Sequence, residues 1–174
     1  MNLKTYKEQI PAAARFIMER LQASGYEAYL VGGAVRDLIL GRQPGDYDIT
    51  TNALPEETEA VFRDFGTLEI GKAHGTIGVI VDHKIYEVTT YRVDGEYTDH
   101  RRPDAVTFTR SLEQDLERRD FRINAVAMDL DGNLWGVPGY EEDFARRQIC
   151  AVGNPVQRFE EDALRILRGV RFAA

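Results

Sequence analysis

The apolar positions of this chain change period several times, and each change marks an element. From Pro11, which can open a helix, "AARFIMERLQASG" sets Phe16, Ile17 and Leu21 at helical spacing before Gly25 ends the run. "EAYLV" predicts a strand, "GAVRDLIL" a short helix closed by Gly41, and "YDIT" a second strand. Pro55 starts another helix, with Glu56 and Glu57 in the first turn, where the helix dipole favours acids. "TIGVIVDHKIYEVTTYRV" predicts two strands joined across Asp82 to Lys84, and "DGEYTDHRRPD" lacks any period and reads as a polar loop.

The serine-capped "SLEQDLERRDFRINAVAM" begins as a helix and passes into a strand, and "MDLDGNLWG" puts Asp131 and Gly132 at the tip of a second hairpin. "YEEDFARRQ" reads as a charged turn, "ICAV" as a short strand, and everything after Pro155 as one helix to the last residue. Ala163, Leu167, Val170 and Ala174 form an apolar stripe on that helix which nothing else in the sequence covers, so the chain is expected to be the front part of a longer protein. The expected architecture is α+β: a mixed sheet with helices on one side, followed by an unfinished helical region.

Composition adds limits. With 174 residues, 43% of them hydrophobic and 29% charged, the chain can bury a real core. Cys150 is the sole cysteine, which excludes an internal disulfide and an all-cysteine metal site and suits a reducing compartment. No run of about 18 apolar residues exists and no secretion signal is visible, so no membrane role and a cytoplasmic address are expected. A net charge of −7 argues against a strongly basic nucleic-acid surface. Yet from Tyr97 onward all 12 basic residues are arginine, whose planar fork suits phosphate and base edges better than lysine does.

The chemistry concentrates in "YLVGGAVRDLILGRQPGDYDITTN". Gly32 and Gly33 let the backbone approach a ligand closely where a helix opens, with Arg36 one turn in, although a plain tight turn has the same sequence. Asp46 and Asp48 fall two apart on an extended segment, hence on one face, and such a pair repels unless a cation such as Mg2+ sits between its members. A calcium loop is excluded because position six is Thr51 and Pro55 interrupts it. Glu87, on a strand whose other face carries Tyr86 and Val88, is placed to look across at both aspartates or simply at solvent. Asp162 and Arg165 are expected one helical turn apart, which suits either reading of a base edge or a surface ion pair.

In order along the chain, "LVGGAVRDLILGR", "DYDITTNALPEE", "YEVTTYRVDGEYTDHRRPDAVTF", "LERRDFRINAVAMD" and "RFEEDALRILRGVRFAA" resemble the motifs of the class II tRNA nucleotidyltransferases and bacterial poly(A) polymerases. The resemblance implies a polymerase-beta-like nucleotidyltransferase head over 1–150 and the start of an all-α neck over 151–174. It implies that Gly32, Gly33 and Arg36 meet nucleotide phosphates, that Asp46 and Asp48 hold Mg2+, and that Glu87 is the third acid. It further implies that Arg119 and Asp120 lie against phosphate and ribose with Asn124 behind them. Asp162 and Arg165 correspond to the readers of the incoming base, and Arg168 and Arg171 to further nucleotide contacts. The polar loop corresponds to a mobile loop of enzymes that add both C and A. The implied activity is untemplated addition of C and A from CTP and ATP to a tRNA 3′ end. Addition of A alone or of C alone, poly(A) synthesis, and nucleotide binding without turnover remain alternatives. Departures are Arg122, where threonine is common, and "WGVPGYEED", where an aspartate usually precedes the proline.

Overall fold

The computed structural model describes residues 7–99 and 103–173. Its first helix, α1 (Ala12–Ala23), buries Ala13, Ala14, Ile17, Met18 and Leu21, the helical stripe expected of one packed face. That stripe lies over strand β1 (Ala28–Val31), where alternation sends Ala28 and Leu30 into the main core and Tyr29 and Val31 toward the opposite face. Helix α2 (Gly33–Ile39) follows directly, then β2 (Ile49–Thr51), α3 (Pro55–Val61) and β3 (Gly66–Gly71). The hairpin of β4 (Thr76–Val81) and β5 (Lys84–Thr90) turns on Asp82 and His83, both left-handed, at φ 50° and 60°.

β6 (Arg92–Asp94) and β7 (Val106–Phe108) pair in a small separate sheet ahead of α4 (Leu112–Glu117), which Ser111 caps by accepting from the Gln114 N–H at 3.3 Å. β8 (Val126–Met128) and β9 (Leu134–Gly136) form the second hairpin, with Gly132 at φ 83° in its turn. Helices α5 (Tyr140–Arg146), α6 (Pro155–Glu161) and α7 (Leu164–Ala173) complete the described chain.

The main sheet runs β3-β4-β5-β2-β1-β8-β9 and is mixed, since β2 and β5 pair in parallel while the other neighbours are antiparallel. The α+β expectation holds, with corrections. Helices do not keep to one side: α4 covers the far face of β1 and β8, where Leu112 and Leu116 pack with Val31 and Ala127. "YEEDFARRQ" is a helix rather than a turn, because Asp143 is wholly buried beneath it and Arg122 reaches that carboxylate at 3.7 Å. "ICAV" contributes one bridge, Phe121 with Ala151, instead of a strand. The segment after Pro155 is two helices, because Asp162 adopts an extended conformation (φ −142°, ψ 104°) and ends the first. β3 and the small sheet are additions that periodicity missed, and part of the expected polar loop, 100–102, falls outside the described residues, as does Ala174 of the expected stripe.

Candidate active site

Asp46 and Asp48 precede β2 rather than lying within it, yet the alternation they were expected to follow persists. Tyr47, between them, is buried in the core and its hydroxyl donates to the Gln9 carbonyl at 3.2 Å, while both aspartates stand exposed on the other face. The ladder also continues past the strand, because the Val31 N–H donates to the Asp48 carbonyl at 3.1 Å. Parallel pairing sets Ile49 beside Val88, which brings the preceding residues of each strand, Asp48 and Glu87, side by side on the outer face. The charges feel one another: partial desolvation, then the Glu87 carboxylate, then Asp46 raise the Asp48 carboxyl above its ordinary value, against the lowering pull of Arg119.

A hard divalent cation fits this arrangement, since it removes the repulsion that crowds Asp48. Among the described residues no three histidine, cysteine or acidic side chains stand as a ready-made metal cage. The donor set is therefore one that a substrate's phosphates would complete, as is usual for magnesium held by one or two carboxylates.

Asp48 opens on a cavity of about 570 Å³ whose wall carries seven arginines: Arg36, Arg92, Arg118, Arg119, Arg165, Arg168 and Arg171. Gly32, Gly33, Asp120, Asn124 and Asp162 line it too. Thus eleven of the thirteen residues singled out from the sequence meet in one place, and Asp46 and Glu87 join Asp48 at its edge, around a neighbouring cavity. Gly32 turns the chain from β1 into α2 at φ 71°, ψ −128°, a conformation open only to glycine.

The arginines are held in two hydrogen-bonded groups. In the first, Arg36 donates to Asp37 through Nε at 2.9 Å and to the Asn124 side-chain oxygen through Nη1 at 2.9 Å. Asn124 donates to Asp120 at 3.4 Å, and the other oxygen of Asp120 pairs with Arg168 at 2.9 Å. The second group centres on Asp115, a wholly buried carboxylate that the sequence reading passed over. It accepts from Arg118 Nε at 3.0 Å, Arg119 Nη2 at 3.1 Å, the Arg92 N–H at 3.1 Å and the Thr50 hydroxyl at 3.3 Å. Burial alone raises a carboxyl, but Arg119 and Arg118 outweigh it and hold Asp115 below the usual range.

Asp94, also missed, pairs with Arg92 at 3.1 Å and accepts from the Tyr97 hydroxyl at 2.8 Å; burial and that bond push the Tyr97 phenol up to about 12. Their burial was not visible in the sequence, because it depends on contacts from other elements, the Arg92 N–H and Thr50 for Asp115 and Arg118 for Asp94.

Asp162 and Arg165 do not lie one turn apart on a single helix as expected, because Asp162 falls between α6 and α7. Asp162 caps α7 by accepting from the Leu164 N–H at 3.0 Å, while Arg165 is buried and donates to Glu161 at 2.7 Å and to the Tyr97 hydroxyl at 3.3 Å. Both still face the cavity. The two last helices are seated there by Phe121, which packs against Phe159 and Phe172 at centroid distances of 6.4 and 5.9 Å, and by Gly169, whose lack of a side chain admits the Phe121 ring. The apolar residues Leu164, Ile166, Leu167 and Val170 point outward and are 42 to 66% exposed.

Comparison with known proteins agrees with this arrangement. The family model described as the poly A polymerase head domain matches residues 28–150. The CCA-adding enzyme of Geobacillus kaustophilus is 54% identical over 158 residues, covering 91% of this chain and 39% of that protein. That of Enterococcus faecalis is 48% identical over all 174 residues and 42% of its own length. The chain thus spans about two fifths of these curated relatives. Among solved structures, the Bacillus stearothermophilus CCA-adding enzyme in complex with CTP superposes with a TM-score of 0.83 at 50% identity, over 92% of this chain and 38% of that one. A tRNA nucleotidyltransferase complexed with a primer tRNA and an incoming ATP analog gives 0.67 at 31%, over 90% and 44%. By its motifs, its fold and these likenesses, the chain belongs to the poly A polymerase head-domain family.

Proposed function

We propose that this chain is the nucleotide-transferring head, residues 1–150, and the first helices of the neck, 151–174, of a CCA-adding tRNA nucleotidyltransferase, using Mg2+ with CTP and ATP. The observation that carries the reading is a cavity walled by arginines that ends on the Asp48 carboxylate beside Glu87 and Asp46. Its cations suit a triphosphate, and the Asp46, Asp48 and Glu87 carboxylates gather at one edge, where the reacting phosphorus belongs.

Asp46 and Asp48 would hold the magnesium, which when bound neutralises phosphate charge and favours the ionised hydroxyl. Arg118 and Arg119, fixed by Asp115, orient the triphosphate. Gly32 makes the turn that the neighbouring wall requires, at a φ of 71° that residues with side chains rarely adopt. In the transfer, the tRNA 3′-oxygen bonds to the α-phosphorus, the bond from that phosphorus to the bridging oxygen breaks, and its electron pair leaves with pyrophosphate. The hydroxyl proton passes to water at the carboxylates. Asp162 and Arg165 would read the base, so protein takes the place of a template. This reading keeps the cytoplasmic setting expected from the sequence. Among the described residues no helix is long and apolar enough to cross a membrane.

The experiment is incorporation of labelled CTP and ATP into a tRNA lacking its tail, in magnesium. Transfer that disappears in Asp46→Ala plus Asp48→Ala is expected; transfer that survives the double change refutes the assigned site. A chain that binds CTP and transfers nothing even at high tRNA would instead be a nucleotide-binding module. Product length and nucleotide choice separate CCA addition from addition of A or C alone and from poly(A) synthesis.

A further inference from the structure

The segment that carries Asp46 and Asp48 lies between α2 and β2 and belongs to neither. Among the described residues, Gln43 to Tyr47 form no hydrogen bond from main chain to main chain, and Pro44 has no N–H to give. The sheet takes hold only at Asp48, whose carbonyl accepts from the Val31 N–H. Asp46 stands two residues outside that grip, so its place is set by side chains. Two of these are buried in the segment, Pro44 and Tyr47.

Tyr47 is the one of the two that hydrogen bonds can fix. Its hydroxyl accepts from the Gln43 side-chain amide at 3.0 Å, within the segment, and donates to the Gln9 carbonyl at 3.2 Å, outside it. That carbonyl is itself held. Lys7–Gln9 is a single 3-10 turn ahead of α1, the following Ile10 is buried in the main core, and Arg15 of α1 donates to the Lys7 carbonyl at 2.8 Å. Pro11, next along, reaches the wall of the cavity that Asp46, Asp48 and Glu87 border. All of these N-terminal residues precede the stretch 28–150 that the family model matches, so that likeness does not account for them.

We infer that Tyr47 is a positioning residue for the two aspartates, and that the N-terminal turn is the anchor through which it acts. With the phenol drawn inward and tied to Gln9, alternation sends Asp46 and Asp48 outward together. Magnesium demands near-ideal octahedral geometry, so looseness at Asp46 translates directly into lost metal affinity. The arginines of the nucleotide cavity stand on other elements and do not depend on this tie. The inference rests on the proposed metal site and adds what holds its ligands in place.

The test uses the full-length protein and Tyr47→Phe, which keeps the ring and removes the hydroxyl. Manganese, a paramagnetic stand-in for magnesium, is titrated into the one-to-one complex with CTP and followed by electron paramagnetic resonance. Its affinity is expected to fall about fivefold, the equivalent of one ordinary hydrogen bond. Amide exchange over 45–48 is expected to quicken, while CTP affinity measured without metal stays at the wild-type value. Removing residues 1–9 takes away the Gln9 carbonyl and is expected to weaken manganese by the same factor, with Tyr47→Phe adding nothing further in the shortened chain. An unchanged manganese affinity in Tyr47→Phe, effects of the two changes that multiply, or a loss of CTP affinity equal to that of manganese would overturn the positioning role and leave the metal site standing. A wild-type protein whose CTP complex takes up no manganese would overturn the metal site and the inference together.

Discussion

Asp115 and Arg119 meet at 3.1 Å one helical turn apart, and the same carboxylate also holds Arg118, the Arg92 backbone and Thr50. One buried anion thus ties arginines of the cavity wall to β2, at Thr50, two residues from Asp48. Asp115→Asn keeps the shape and removes the charge. It is expected to cost about 3 kcal/mol in urea unfolding at pH 7, in the range for breaking a buried pair, and to weaken CTP binding.

The sign of the pH dependence follows from the direction of the shift. The Asp115 carboxyl is held below its usual range when folded, so its contribution is fully present above the ordinary aspartate value of about 4. That contribution fades as pH falls through the lower, folded value. The stability gap between wild type and Asp115→Asn is therefore expected to be constant from pH 6 to 7 and to shrink below about pH 4, as measured by unfolding at a series of pH values. A gap that widens in acid contradicts the assignment.

Gly32→Ala separates space from conformation. The nearest atom to an added β-carbon is Arg119 Nη1 at 3.5 Å, an ordinary contact, so the penalty comes from φ 71°. A loss of about 1 to 3 kcal/mol is expected on denaturation, with weaker CTP binding, as the turn relaxes into the cavity. Gly33→Ala, at a residue without positive φ, is expected to cost less.

Asp162 has an observed role as a cap and a proposed one in base reading, and one pair of variants can divide them. Asparagine caps a helix about as well as aspartate, whereas alanine does not. Asp162→Asn is therefore expected to leave stability within about 0.5 kcal/mol of wild type, while Asp162→Ala loses about 1 kcal/mol with the cap to Leu164. Both are expected to change the ratio of CTP to ATP incorporation. An unchanged ratio in both would remove Asp162 from base reading and leave it as a cap.

The legible part of this site was local. Gly32, Gly33, Asp46, Asp48 and Glu87 announce themselves by type and by a period of two, and that period survives even where the aspartates leave the strand. What sequence reasoning missed was set by distant partners. Asp115 looks like one more acid in the charged helix "LEQDLE" until Arg92, 23 residues earlier in the chain, brings its N–H to it. Asp94 is specified in the same way by Arg118 and Tyr97. The break at Asp162 was hidden because its neighbours in "EEDALR" are good helix formers, and a side-chain cap together with Phe121 packing overrides them. Helix α5 was hidden by its shortness and its charge, and it stands because Arg122 and Cys150 converge on buried Asp143.

The most direct measurement of the central claim, that Asp48 marks the point of transfer between nucleotide and acceptor, is single-turnover incorporation of labelled CTP by Asp48→Asn. The account predicts transfer slowed by about a hundredfold or more, the scale of losing one charge-stabilising group at a reacting centre, with CTP affinity within about fivefold of wild type because the arginine wall remains. Transfer at nearly the wild-type rate, or a collapse of CTP affinity that accounts for the whole loss, would contradict it.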